Sequence, residues 1–149
     1  MALDTILLAV GPGDADRTER LADAVVDVAK PAGASVVLAH VFTDEEYDEV
    51  LDHLDSDPTG ETTPDEVAGR HATIRELARA FDEAGVAYAV RGRVGSHGDS
   101  IVALAEDVGA DRVVVGGRKR SPTGKAVFGS TAQTVMLNAP CPVTFVRSA

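Results

Sequence analysis

The residues best suited to chemistry in this sequence are cations set between glycines. Gly116-Gly117 is followed by Arg118, Lys119, Arg120, Ser121, Pro122, Thr123, Gly124 and Lys125, and Gly129-Ser130-Thr131 then begins a helical pattern. Ser130 and Gln133 have the spacing of a capping box. The first amides of a helix lack internal acceptors and carry about half a positive charge, which suits an anion. Glycines let the backbone approach that anion, and arginine and lysine attract it from further away. Spacing alone allows a phosphate cradle and, equally, a solvated basic loop with an ordinary helix cap. A Walker A loop is excluded, because Gly124-Lys125 is followed by Ala126 and the earlier glycines are out of register. The dinucleotide fingerprint is matched only in part: Gly11 and Gly13 are present, but Asp16 replaces the third glycine and would repel a pyrophosphate.

Other reactive side chains point less clearly to a site. His40 sits in an apolar run beside Val41 and reads as an interior histidine with its hydrogen bonds satisfied. His71 falls on a helix stripe; His53 and His97 read as loop residues, and of the four only His97 can reach a crevice mouth. The histidines form no cluster by spacing, and Ser96-His97 are neighbours in sequence, which does not make a nucleophile–base pair. Cys141, the single cysteine, lies between two prolines and reads as a packed residue; alone it excludes an internal disulfide or a cysteine metal cluster. The acidic stretch Thr43–Thr62 lacks the ladder and central glycine of a calcium loop, so a solvated surface segment with at most a short helical turn is expected.

The elements that must hold these residues alternate along the chain. Thr5–Val10 is a buried strand ending at Gly11-Pro12-Gly13. Asp16 and Glu19 have cap spacing for a helix carrying Leu21, Val25, Val28 and Ala29, stopped by Pro31 and Gly33. Ser35–Phe42 is the second strand. Thr63-Pro64-Asp65-Glu66 starts a helix with cap, first-turn proline and third-position acid, and Val67, His71, Ile74, Leu77, Ala78 and Phe81 form its apolar stripe up to Gly85. Val86–Val94 is the third strand, and the polar loop Ser96–Asp99 leads to a helix through Val108. Val113-Val114-Val115 is the fourth strand, and Val143–Arg147 the last, after a helix over residues 130–138. Five strands alternating with four helices predict one domain over residues 1–149, an open, doubly wound parallel α/β sheet. Ligands of such sheets sit beyond the strand carboxyl ends, where the winding reverses. If the reversal lies between the first and fourth strands, Val10–Gly13 and Gly116-Gly117 flank one crevice.

Composition narrows the function. A net charge of −10 argues against general nucleic-acid binding. No apolar run reaches the length of a membrane span, and the amino terminus lacks a basic signal region, so a cytoplasmic location is expected. Eleven of the fourteen basic residues are Arg, and an acidic, lysine-poor surface suits solubility at high salt.

Residues 95–147 resemble the carboxyl half of the universal stress protein family. That family's signature is a glycine, two residues, a glycine, nine residues and Gly-Ser or Gly-Thr, then a helix and Ala-Pro-Cys-Pro-Val. Gly116, Gly129, Ser130 and Ala139–Val143 fall in this register, and TILLAV and AHVF match its first two strands. The resemblance implies a Rossmann-like sheet of the adenine nucleotide alpha hydrolase type, with strand order 3-2-1-4-5. It implies ATP, with or without Mg, as ligand: Gly116, Gly129, Ser130 and Thr131 at the phosphates, with Ala9, Val10, Val41 and Val115 around the adenosine. Gly11 and Gly117 beside them are also candidate binding residues, and Lys119, Arg118 or Lys125 can pair with phosphates to offset the departures from the pattern. Two positions depart from the pattern. The second signature glycine is Lys119, and the acidic residue after the first strand falls at Gly11. The family also implies a homodimer paired through Val143–Arg147. The function expected is a dimeric regulatory module binding ATP or a related phosphate ligand, with at most slow hydrolysis; the alternative is a dimeric protein-interaction module with a degenerate pocket.

Overall fold

Runs of aliphatic and β-branched residues build the sheet, in a computed structural model that describes residues 3–11, 13–53, 62–117 and 129–147. The strands are β1 (Thr5–Val10), β2 (Ser35–Phe42), β3 (Tyr88–Val94), β4 (Arg112–Gly117) and β5 (Val143–Arg147), all parallel in the order β3-β2-β1-β4-β5. β1 lies at the centre, with Leu7 opposite Val37 on one side and Val113 on the other. Alternate side chains feed two cores. Ile6, Leu8, Leu38 and Val114 face α1 (Thr18–Ala32) and the later helix α4 (Ala72–Ala84), meeting Leu21, Val25, Leu77 and Phe81. Leu7, Ala9, Val113 and Val115 face α5 (His97–Val108) and α6 (Ser130–Asn138), meeting Ile101, Leu104 and Val135. Fully burying a side chain of this size contributes about 1.5–3 kcal/mol.

Several local expectations are corrected. The acidic stretch contains a ten-residue helix, α2 (Asp44–His53), rather than a brief turn. Its start is a capping box: Glu46 N donates to Thr43 Oγ1 at 3.2 Å, and Thr43 N donates to Glu46 Oε1 at 2.8 Å. The helix expected from Thr63 to Gly85 is two, α3 (Pro64–Arg70) and α4, because His71 takes extended dihedrals and its Nδ1 accepts from Thr73 N at 3.3 Å. The described residues thus hold six α-helices, two more than the pattern suggested. Thr63 caps α3 as expected, accepting from Glu66 N at 3.3 Å. Pro31 lies inside α1, where it costs only one hydrogen bond in the last turn, and Gly33 (φ 68°) ends the helix. The third strand begins at Tyr88, not Val86, and α5 begins at His97, inside the stretch read as a loop.

Close backbone packing fixes α3 against β3. A Cβ on Gly92 would stand 2.0 Å from the Pro64 carbonyl oxygen. Gly92 N donates to Asp65 Oδ1 at 2.7 Å, tying the first turn of α3 to the strand.

Candidate functional site

The winding direction reverses between β1 and β4, so the carboxyl ends of those strands open a crevice between them. β1 leads into Gly11, and a 3-10 turn (Asp14–Arg17) runs on directly into α1. Asp14, rather than Asp16, organises this turn: Gly11 N donates to its Oδ2 at 2.7 Å, and Asp14 N donates to the Gly11 carbonyl at 3.1 Å. Among the described residues, no side chain caps α1. Burial pushes the Asp14 carboxyl up from the ordinary carboxylate value, although the Gly11 amide and the Arg17 guanidinium pull the other way.

Arg17 crosses the crevice to the other strand. It is 6% exposed, and Nη1 donates to the Gly13 carbonyl at 2.6 Å and to Asp14 Oδ1 at 3.1 Å. Nε donates to the Gly117 carbonyl at 3.3 Å. Glycine at position 116 makes room for this: a Cβ there would meet Asp14 Oδ1 at 2.6 Å and Arg17 Cδ at 2.8 Å. Across the gap, α6 begins at Ser130 with Gly129 as its N-cap, and no side chain of the described residues caps it. The capping box expected of Ser130 and Gln133 is therefore absent, since Ser130 already lies inside the first turn. The first amides of such a helix have no intrahelical acceptor.

Two cavities occupy this space. One, of about 170 Å³, has apolar walls from Ala9, Val10, Val41, Ile101 and Val115, with Gly11, Gly116, His97 and Thr131 at its edges. The second, of about 370 Å³, is lined by Gly116, Gly117, Gly129, Ser130 and Thr131. Gly13, Arg17, Gly116, Thr131 and Ala132 line both, so the two adjoin there. Ten of the twelve residues singled out in the sequence come together around this space. The other two, Arg118 and Lys119, lie outside the described residues, as do Pro12 and Lys125. Asp14 and Arg17 were missed. Their i,i+3 spacing directly after the glycines is the available signal, and Asp16 beside them obscures it.

The histidines are closer together than their spacing suggested. His97, at the cavity edge, pairs with Glu46 of α2, Nε2 to Oε1 2.7 Å. Burial alone would raise the Glu46 carboxyl, but the Thr43 amide and His97 outweigh it and hold it below the ordinary value. His40 is buried, stacked on Phe42 (ring centroids 4.4 Å) and tilted against His71 (4.3 Å). It is not satisfied: neither ring nitrogen has a hydrogen-bond partner among the described residues. Burial, then the like charge of His71, lowers its pKa to about 4, against the opposing pull of Glu46 and the Val41 backbone. Burial likewise lowers His71 and raises Cys141, which packs at the edge of the second core. Among the described residues, no three His, Cys, Asp or Glu converge as metal ligands.

An open parallel sheet whose winding reverses between β1 and β4 defines the doubly wound class of α/β proteins. The universal stress protein family model matches residues 2–147, and the chain belongs to that family. A universal stress protein from Archaeoglobus fulgidus has a similar solved structure, 28% identical, with TM-score 0.70, covering 96% of this chain and 98% of that one. A universal stress protein solved in complex with cAMP is 23% identical, with TM-score 0.69 over the full length of both chains. A second Archaeoglobus fulgidus member, solved with dAMP, is 22% identical, with TM-score 0.67 over 98% and 99% of the two chains.

Proposed function

We propose that this protein is a regulatory module that binds ATP or a related adenine nucleotide between β1 and β4. The observation that carries the reading is that the two cavities adjoin and share Arg17 and Gly116. An aliphatic slot that suits a flat base lies beside glycine backbone and a helix start that suit phosphates. The relatives solved with cAMP and dAMP support the same ligand class. Catalysis is no part of the reading, because the carboxylate lining the cavity, Asp14, has one oxygen engaged by Gly11 N and the other by Arg17. The module works as a cytoplasmic homodimer paired through the edge strand β5, next to the exposed apolar side chains Leu137 and Met136 of α6. Sedimentation at micromolar concentration is expected to give twice the chain mass of 15.5 kDa; a monomer throughout would remove the dimer from the proposal.

One observation favours the second reading, an interaction module with a degenerate pocket: Asp14 and Arg17 close tightly over Gly116. Thermal unfolding with increasing Mg-ATP or AMP separates the two. A binder gains stability as RT ln(1 + [L]/Kd), about 2.7 kcal/mol at a hundredfold excess over Kd. A melting curve that does not move up to millimolar nucleotide would favour the degenerate pocket.

A further inference from the structure

Resting on the nucleotide reading, we infer that Arg17 is the residue that grips the phosphate nearest the nucleoside. The ligand class selected is therefore the nucleoside monophosphate unit, whatever follows it. Arg17 lies where the aliphatic slot meets the glycine-lined cavity and lines both. It is nine-tenths buried, and its position is fixed by the Gly13 carbonyl, the Gly117 carbonyl and Asp14. Those contacts occupy Nε and Nη1. Nη2 has no partner among the described residues. It lies by Gly13, 3.7 Å from where a Cβ would stand there, at the junction of the cavities.

A guanidinium stays charged at every physiological pH and offers hydrogen bonds in a rigid fork. With its position already set by the protein, little further ordering is needed when an anion arrives. Asp14 is held by Gly11 and Nη1, while Ser130 and Thr131 at the start of α6 line the same cavity as Arg17, so a phosphate there has both Nη2 and the helix start to bind it. A ligand whose base fills the slot places its first phosphate at this junction. Further phosphates extend into the larger cavity and contact Arg17 less.

Calorimetric titration of adenosine, AMP and ATP tests the assignment. The wild-type protein is expected to bind AMP about tenfold to a hundredfold more tightly than adenosine, the range of one charge-assisted hydrogen bond or more. ATP should add less than that first step. Arg17→Met alone leaves Asp14 without its partner, so Arg17→Met with Asp14→Asn is the variant of choice, its fold checked by circular dichroism. It is expected to lose the preference for AMP while its adenosine affinity changes far less. Arg17→Lys should restore part of the preference. A folded double variant that still prefers AMP, or loses adenosine and AMP in parallel, overturns the assignment. Wild-type protein that binds adenosine and AMP equally overturns it too, yet leaves the nucleotide reading intact. Binding of none of the three would defeat that reading itself.

Discussion

Acid should destabilise this protein through His40, and the size of the effect follows from its surroundings. The ring is 3% exposed, lacks hydrogen-bond partners and touches a second histidine, and its pKa falls from 6.5 to about 4. A base with a depressed folded pKa stabilises the fold above the unfolded value, and that stability is lost as pH falls from 6.5 towards 4. Between pH 7 and pH 5 the loss from this one group is roughly 2 kcal/mol. His40→Leu keeps an apolar filling between Phe42 and His71 and cannot bind the proton. Whatever its stability at pH 7, the difference between variant and wild type should grow by about 2 kcal/mol at pH 5, in the variant's favour. Urea unfolding at the two pH values measures this, as a relative midpoint shift of about 1 M for an m-value near 2 kcal/mol/M. Wild-type and variant midpoints that fall in parallel would refute the reasoning and mean that His40 has a partner in solution.

Gly92→Ala is expected to be among the most disruptive single-methyl changes, since the new Cβ meets the Pro64 carbonyl backbone rather than a side chain that can turn away. A loss of about 3 kcal/mol or more in urea unfolding is expected, above the usual range for overpacking; an unchanged midpoint would contradict it. Gly116→Ala should instead displace Asp14 and Arg17, which are side chains, and so leave the fold while lowering AMP affinity about tenfold by calorimetry. Removing the α3 cap by Thr63→Ala should cost about 1 kcal/mol by the same unfolding assay, and no change would mean that the cap is redundant.

The sheet was legible because its signal is local. TILLAV, SVVLAHVF and RVVVGG are runs that only a strand buried on both faces explains, and the glycines after β1 and β4 mark the crevice. The Thr63 cap was legible for the same reason. What the sequence hid depends on tertiary contact. His71 continues the apolar period of its neighbours, so the break between α3 and α4 left no trace in the spacing. The helicity of α2 was masked by its acidic residues, although its Thr43–Glu46 capping box is local; only the pairing of Glu46 with His97 needed residues about fifty apart to become adjacent. Asp14 and Arg17 look like ordinary surface charges of an acidic protein. Their role arises because Gly116, a hundred residues on, leaves them a place to pack.

On the proposed reading, one crevice, bounded by Gly11, Arg17, Gly116 and the start of α6, receives an adenine nucleotide. Backbone and guanidinium ¹H–¹⁵N correlation spectra recorded while AMP is added report on that crevice residue by residue. The largest shifts are expected at Gly11, Gly116, Ser130 and Thr131, together with the Arg17 Nε–H signal. Shifts confined to other surfaces, such as the groove lined by Arg75, Arg79 and Tyr88, or no shifts at millimolar AMP, would contradict that reading.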